Sequence, residues 1–247
     1  MMCNIKLIIY IFLFSHLVFS QTKDPLMSED FEKQSVWVDS IYNSMTLDEK
    51  IGQLFFVQAN SFESNNSEKV KSLIKNQKIG GLIFSKGTPN KQISLTNSFQ
   101  KISKVPLLIS MDAEWGLSMR LDSVPKFPWN MSLGSISNNN LIEKVGKTIG
   151  EQCNTVGVHL NFAPVLDINT NPKNPIIGNR SFGESKENVT NKSIAYMNGI
   201  KSQNILSTAK HFPGHGDTET DSHSSLAQIP SDSTRLWTVE LEPFKKV

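Results

Sequence analysis

Short apolar runs alternate with longer stretches of helical periodicity along most of this chain, and that alternation restricts the available folds more than any other feature. Leu54–Val57, Gly81–Phe84, Pro106–Met111, Val158–Ala163 and Ile205–Ala209 have the length and composition of short buried strands. Between them, helical spacing runs from Ser67 to Asn76, Asn90 to Ile102, Asn139 to Thr155 and Lys186 to Gln203, with a last helix predicted from about Ser233. Earlier, Val36 to Met45 has a helical pattern, and Thr46-Leu47-Asp48-Glu49-Lys50 has the Thr-x-x-Glu spacing of a capping box that opens another helix.

Strands separated in this way run parallel, because parallel neighbours cannot be joined by a tight hairpin. An open doubly wound sheet and a closed (β/α)8 TIM barrel both satisfy that condition. No Gly-x-Gly-x-x-Gly fingerprint follows the first strand, and polar clusters follow several strands rather than one switch point, which favours the α/β barrel. A complete barrel has eight strands in typically about 250 residues, whereas about five or six are legible here before the helical pattern at Glu242–Val247. The expectation is an incomplete barrel whose C-terminal part is missing.

The start of the chain has a different character. Lys6 precedes the apolar stretch Leu7 to Phe14, and Val18-Phe19-Ser20 precedes Gln21, the pattern of a cleaved secretory signal. The run is short and interrupted by Ser15 and His16, which argues against a retained membrane anchor. The expected organisation is therefore a signal peptide over 1–20, a polar lead-in over 21–35 and the barrel over 36–247, in a secreted or periplasmic protein with no stable membrane span after cleavage. Removal of the signal leaves Cys153 as the one cysteine, which precludes an internal disulfide and suits a small buried residue. With a formal charge of +2 and Lys spread without runs, nothing suggests a nucleic-acid partner.

Polar residues gather where the strands end, and chemistry in α/β folds sits at the C-terminal ends of strands. Asp112 and Glu114 follow the third strand, with Arg120 eight residues beyond Asp112; an acid and a guanidinium so placed can converge on one polar ligand, or Arg120 can simply pair with Asp112. Phe127-Pro128-Trp129 can support a sugar face or close the rim. After the fourth strand, prolines and glycines punctuate a loop around Arg180, which presents that side chain rigidly or uses it to bond loop carbonyls. His159, within a strand, reads as a satisfied core histidine.

The densest cluster is Lys210 to His223, which holds three of the five histidines with three acidic residues. Asp221 and His223 are two apart, so in an extended loop both side chains face one way; a carboxylate bonded to an imidazole fixes its tautomer and equips it to transfer protons near neutral pH. The loop's Gly, Ser and Thr content would let it swing over a ligand. The alternative takes His211, His215 and His223 as ligands of a metal-dependent hydrolase, although Pro213 and Gly214 break the helix that His-x-x-x-His spacing needs.

Lys210 to His223 closely resembles the signature of glycoside hydrolase family 3 in its β-N-acetylglucosaminidase branch. Thr46-Leu47-Asp48-Glu49-Lys50-Ile51-Gly52-Gln53, Asp112-Ala113-Glu114 and Asn179-Arg180-Ser181-Phe182-Gly183 follow the family's order. The resemblance implies a (β/α)8 barrel and hydrolysis of terminal, non-reducing β-linked N-acetylglucosamine with retention of configuration. It implies His223 as general acid/base assisted by Asp221, and Asp112, Arg120, Arg180, Lys210 and His211 as sugar-binding residues. No cofactor and no metal are implied; the expected partners are carbohydrates such as N-acetylglucosaminides, muropeptides or chitin oligosaccharides. The family's nucleophile is an Asp on a later strand, expected beyond Val247, so this stretch alone is expected to be inactive; Asp232 is expected to cap a helix instead. Trp115 stands where the commoner Asp-Gln-Glu-Gly-Gly-Arg pattern has glycine, which bears on the shape of the subsite. A phosphorylase and a non-catalytic sugar-binding protein remain rival readings.

Overall fold

The computed structural model describes residues 30–60, 62 and 64–247; the expected signal peptide and the start of the lead-in lie outside the described residues. Helix α1, Phe31–Ser44, belongs to a first compact unit and begins before Val36 because Asp30 caps it, its carboxylate accepting from the Lys33 N–H at 3.1 Å. The second unit spans Thr46–Val247.

That unit opens as the Thr-x-x-Glu spacing requires. Thr46 Oγ1 accepts from the Glu49 N–H at 3.2 Å and the Thr46 N–H donates to Glu49 Oε2 at 3.0 Å, forming a reciprocal capping box at helix α2, Leu47–Gly52. The first strand is displaced from its expected place. Backbone N–H groups of Leu54 and Phe55 bond back to Ile51 and Gly52, so both residues belong to the turn after α2 and β1 runs over Phe56–Asn60.

Helix α3 (Ser64–Gln77), strand β2 (Gly81–Lys86), helix α4 (Pro89–Ile102) and strand β3 (Leu108–Met111) continue the alternation. A short helix α5 (Asn130–Gly134), which the sequence pattern does not announce, precedes α6 (Asn139–Val156), β4 (Leu160–Asn161), α7 (Lys186–Lys201) and β5 (Leu206–Ser207). A short turn α8 (Ser233–Arg235), a π-helical turn over Leu236–Glu240 and α9 (Glu242–Lys246) complete the described chain. Asp232 is the cap of α8, its carboxylate accepting from the Arg235 N–H at 2.8 Å.

The five described strands pair in parallel in the order β1-β2-β3-β4-β5, as an incomplete (β/α)8 barrel requires. Strands β4 and β5 are shorter than their apolar runs because the ladder becomes irregular at Pro164, which has no N–H: the Thr208 N–H reaches both Asn161 and Ala163 carbonyls, and pairing resumes as an isolated bridge between Val165 and Lys210. His159 departs from expectation. Its Nδ1 accepts from the Ile109 N–H at 3.1 Å, so it is satisfied, but it is exposed at the start of β4 rather than in the core.

The core lies between the sheet and its helices, with Leu82, Phe84, Ile109 and Met111 buried against Phe99, Ile149 and Cys153. Burial in this apolar setting pushes the Cys153 thiol up to about 12. Helices α6 and α7 approach closely because Gly146 and Gly199 face backbone: a Cβ on either would collide with the Tyr196 or Glu143 carbonyl. The close approach seats the buried Tyr196 so that its hydroxyl lies 3.2 Å from the carbonyls of Ala113 and Glu114, at the end of β3. Asn161 on β4 clamps the same segment, accepting from the Ala113 N–H at 3.0 Å and donating to its carbonyl at 3.2 Å. Packing remote from the surface thus fixes the segment that carries Asp112 and Glu114.

Candidate active site

Fixing that segment matters because its two carboxylates gather Arg120, Arg180 and Lys210. Glu114 is fully buried and receives Arg180 in bidentate fashion, Nη2 donating to Oε1 at 2.7 Å and Nε to Oε2 at 3.0 Å. Lys210 Nζ bridges the two acids, 2.7 Å from Glu114 Oε1 and 2.9 Å from Asp112 Oδ1. Arg120 Nη2 closes on the other Asp112 oxygen at 3.0 Å. Burial disfavours the charged forms of both acids, but the neighbouring cations outweigh it: Lys210 and then Arg120 hold the Asp112 carboxyl below its ordinary value, and Arg180 with Lys210 does the same for Glu114.

His211 joins this network from the opposite side. Arg180 Nη2 can only donate, so the 3.1 Å contact makes His211 Nε2 the acceptor, and Nδ1 carries the hydrogen given to Asp167 Oδ2 at 2.6 Å. The buried Asp167 also accepts from the backbone N–H groups of His211 and His215, the latter at 2.6 Å, and so anchors the start of the long loop after β5. Peptide bonds 210–211 and 212–213 in that loop are cis.

The five residues predicted to bind sugar, Asp112, Arg120, Arg180, Lys210 and His211, therefore form one connected constellation. Arg120 pairs with Asp112, and Arg180 also bonds a loop carbonyl, that of Ile176 at 3.1 Å, so the structural readings of both arginines hold alongside their membership of the site. Two members, Glu114 and Asp167, were not among the predicted site residues. A lone acid inside the apolar stretch Val165-Leu166-Asp167-Ile168 was the available signal, because a buried carboxylate requires partners.

Asp221 and His223 meet each other, as their spacing predicts, but not that constellation. His223 Nδ1 lies 2.7 Å from Asp221 Oδ1, which also accepts the His223 backbone N–H at 2.9 Å. Those two bonds, the backbone one foremost, hold the Asp221 carboxyl below its ordinary value. The His223 side chain is 78% exposed, and its Nε2 has no hydrogen-bond partner among the described residues. The loop is held nearer its base: His215 bonds Thr218 through Nδ1 and Ser222 through Nε2, and Arg235 pairs with Asp217 at 3.0 Å. His211, His215 and His223 make separate Nδ1 contacts, with Asp167, Thr218 and Asp221, and among the described residues no three His, Cys, Asp or Glu side chains are grouped to hold an ion.

Residues 46–247 match the glycosyl hydrolase family 3 N terminal domain. The chain is 36% identical over 192 residues to a beta-hexosaminidase A of Pseudoalteromonas piscicida, covering 72% of this chain and 32% of that protein. It is 30% identical to a beta-N-acetylglucosaminidase/beta-glucosidase of Cellulomonas fimi, covering 81% and 35% respectively. It therefore spans about a third of the length of these two relatives. Among solved structures it superposes on a family 3 beta-N-acetylglucosaminidase of Paenibacillus with a TM-score of 0.76, at 37% identity over 82% of this chain and 40% of that one. It also superposes on a beta-glucoside phosphorylase, BglX, with a TM-score of 0.83, at 25% identity over 87% and 38%.

Proposed function

From the premise that this chain belongs to glycosyl hydrolase family 3, we propose that the protein is a retaining β-N-acetylhexosaminidase that releases terminal non-reducing N-acetylglucosamine. The observation that carries the reading is the Asp221–His223 pair, whose hydrogen bond leaves Nε2 open to solvent on the loop that also supplies Lys210 and His211. The names of the two curated relatives support the substrate class.

In this reading the constellation at the strand ends holds the sugar. Asp112, Arg120, Arg180, Lys210 and His211 offer charged donors and acceptors that are already mutually oriented, so ring hydroxyls exchange into a preformed network. His223, its tautomer set by Asp221, protonates the leaving oxygen through Nε2 and later takes a proton from the attacking water. A histidine thus occupies the role that a carboxylic acid holds in most glycosidases. The covalent step calls for a nucleophilic carboxylate, which the resemblance places on a later strand than any in this sequence. A secretory start to the chain, as its first twenty residues suggest, would put the enzyme where wall fragments or chitin oligosaccharides are met.

The test is His223→Ala. Loss of a general acid removes roughly 10²–10⁴-fold in rate where the leaving group needs a proton and much less where it does not. Turnover of an alkyl or sugar glycoside should therefore collapse while a nitrophenyl glycoside retains most of its rate; equal losses on both would remove His223 from the acid role. The likeness to a phosphorylase favours a second reading, in which phosphate replaces water as acceptor. Formation of a sugar 1-phosphate in phosphate buffer would decide for it.

A further inference from the structure

Two of the groups that bond Arg180 each have a tryptophan next to them in sequence. Glu114 takes both guanidinium bonds, and Trp115 follows it; Asn130 Nδ2 donates to the Arg180 carbonyl at 2.8 Å, and Trp129 precedes it. The two indoles meet with ring centroids 4.2 Å apart and planes tilted by 48°. Gly116 permits the meeting: it has φ +91°, and a Cβ there would lie 2.9 Å from the Phe127 ring, so the chain after Trp115 packs directly on the segment that leads into Trp129. Leu117 and Leu133 on the same stretch of chain are buried, yet Trp129 is left 42% exposed.

We infer that the Trp115–Trp129 pair is the platform for the sugar ring on the leaving-group side of the scissile bond, so that the protein prefers glycosides whose aglycone is itself a pyranose. The inference rests on the hydrolase reading above. Charged side chains suit the hydroxyls of the terminal residue, whereas an indole face suits the C–H face of a pyranose, which it contacts by dispersion and apolar burial. An enzyme that removes a terminal residue meets a substrate extending in one direction only, away from the closed constellation. Because both indoles adjoin the groups that hold Arg180, their position is fixed relative to the cations that hold the terminal sugar.

The experiment compares kcat/KM on methyl β-N-acetylglucosaminide and on N,N′-diacetylchitobiose for the full-length protein and for Trp129→Ala and Trp129→Phe. Trp129→Ala should lower the value on the disaccharide about threefold to tenfold and leave the methyl glycoside within about twofold, with Trp129→Phe recovering most of the loss. Equal effects on the two substrates, or no effect on the disaccharide, would overturn the platform while leaving the hydrolase reading intact. Should the unaltered protein cleave neither, the hydrolase reading falls and equilibrium binding decides the platform. Diacetylchitobiose should then bind more tightly than N-acetylglucosamine and lose that advantage in Trp129→Ala; equal binding of the two sugars by the unaltered protein would overturn it.

Discussion

The constellation around Glu114 and the Asp221–His223 pair both turn on carboxylates that hold a basic side chain, yet they are built on opposite principles. Glu114, Asp112 and Asp167 are held by residues from four separate stretches of chain, the Asp112–Arg120 segment, the loop before α7, Tyr196 within it and the segment after β5, and Glu114 and Asp167 are fully buried. Asp221 and His223 meet through a local bond across one intervening residue, in water. The first arrangement fixes a geometry; the second leaves an imidazole nitrogen accessible. Under the proposed function, one site grips a ring and protonates the oxygen beside it, and there rigidity serves the first task and access the second.

The sharpest way to break this contrast is to remove charge from each acid in turn and measure stability. Glu114→Gln keeps the shape but leaves Arg180 and Lys210 without their buried counter-charge. Loss of one partner from a buried ion pair costs about 3–5 kcal/mol, so the midpoint of denaturant unfolding should fall steeply. A loss below about 1 kcal/mol would mean that solvent already screens the cluster, as it does surface pairs.

Acid titration sharpens the same point with a smaller effect. Asp112 and Glu114 have folded-state pKa values below their ordinary ones, so the stability they contribute is present above the unfolded values near pH 4 and is lost as pH falls through the folded values. Stability should be nearly flat from neutrality to about pH 5 and decline below about pH 4. In Glu114→Gln the decline should be shallower, because one of the protons taken up in unfolding-linked titration is gone. An unchanged slope would assign the acid sensitivity to other carboxylates.

How much of this was legible in the sequence follows from how local each feature is. The capping box at Thr46 and Glu49, the cap at Asp232 and the bond between Asp221 and His223 each lie within three residues of chain, and the sequence announces all three. The alternation of elements was legible because each strand and helix carries its own period. Asp167 was not, since its partners His211 and His215 lie 44 and 48 residues away and only the folded sheet brings them to it. The start of β1 was misplaced for a related reason: Leu54-Phe55 has strand composition, but turn hydrogen bonds after α2 claim its backbone first. The tryptophan contact depends on the backbone freedom of Gly116, a property that sequence shows only once the path of residues 117–129 is known.

The smallest expected effect completes the contrast and tests it most directly. Asp221→Ala deletes a carboxylate that bonds only within its own loop and reaches solvent, its side chain 38% exposed, so stability should change by no more than about 0.5 kcal/mol, as for an ordinary surface substitution. Catalysis should respond quite differently, because the imidazole loses the bond that sets its tautomer. The pH–rate profile on a sugar aglycone should lose amplitude while the unfolding curve stays in place. Asp221→Asn adds a control: an amide can still accept from Nδ1–H but carries no charge, so a profile intermediate between those of the unaltered protein and Asp221→Ala would separate orientation from electrostatics. A marked loss of stability in Asp221→Ala, with turnover unchanged, would reverse the assignment and make this pair a structural latch of the loop rather than its proton donor.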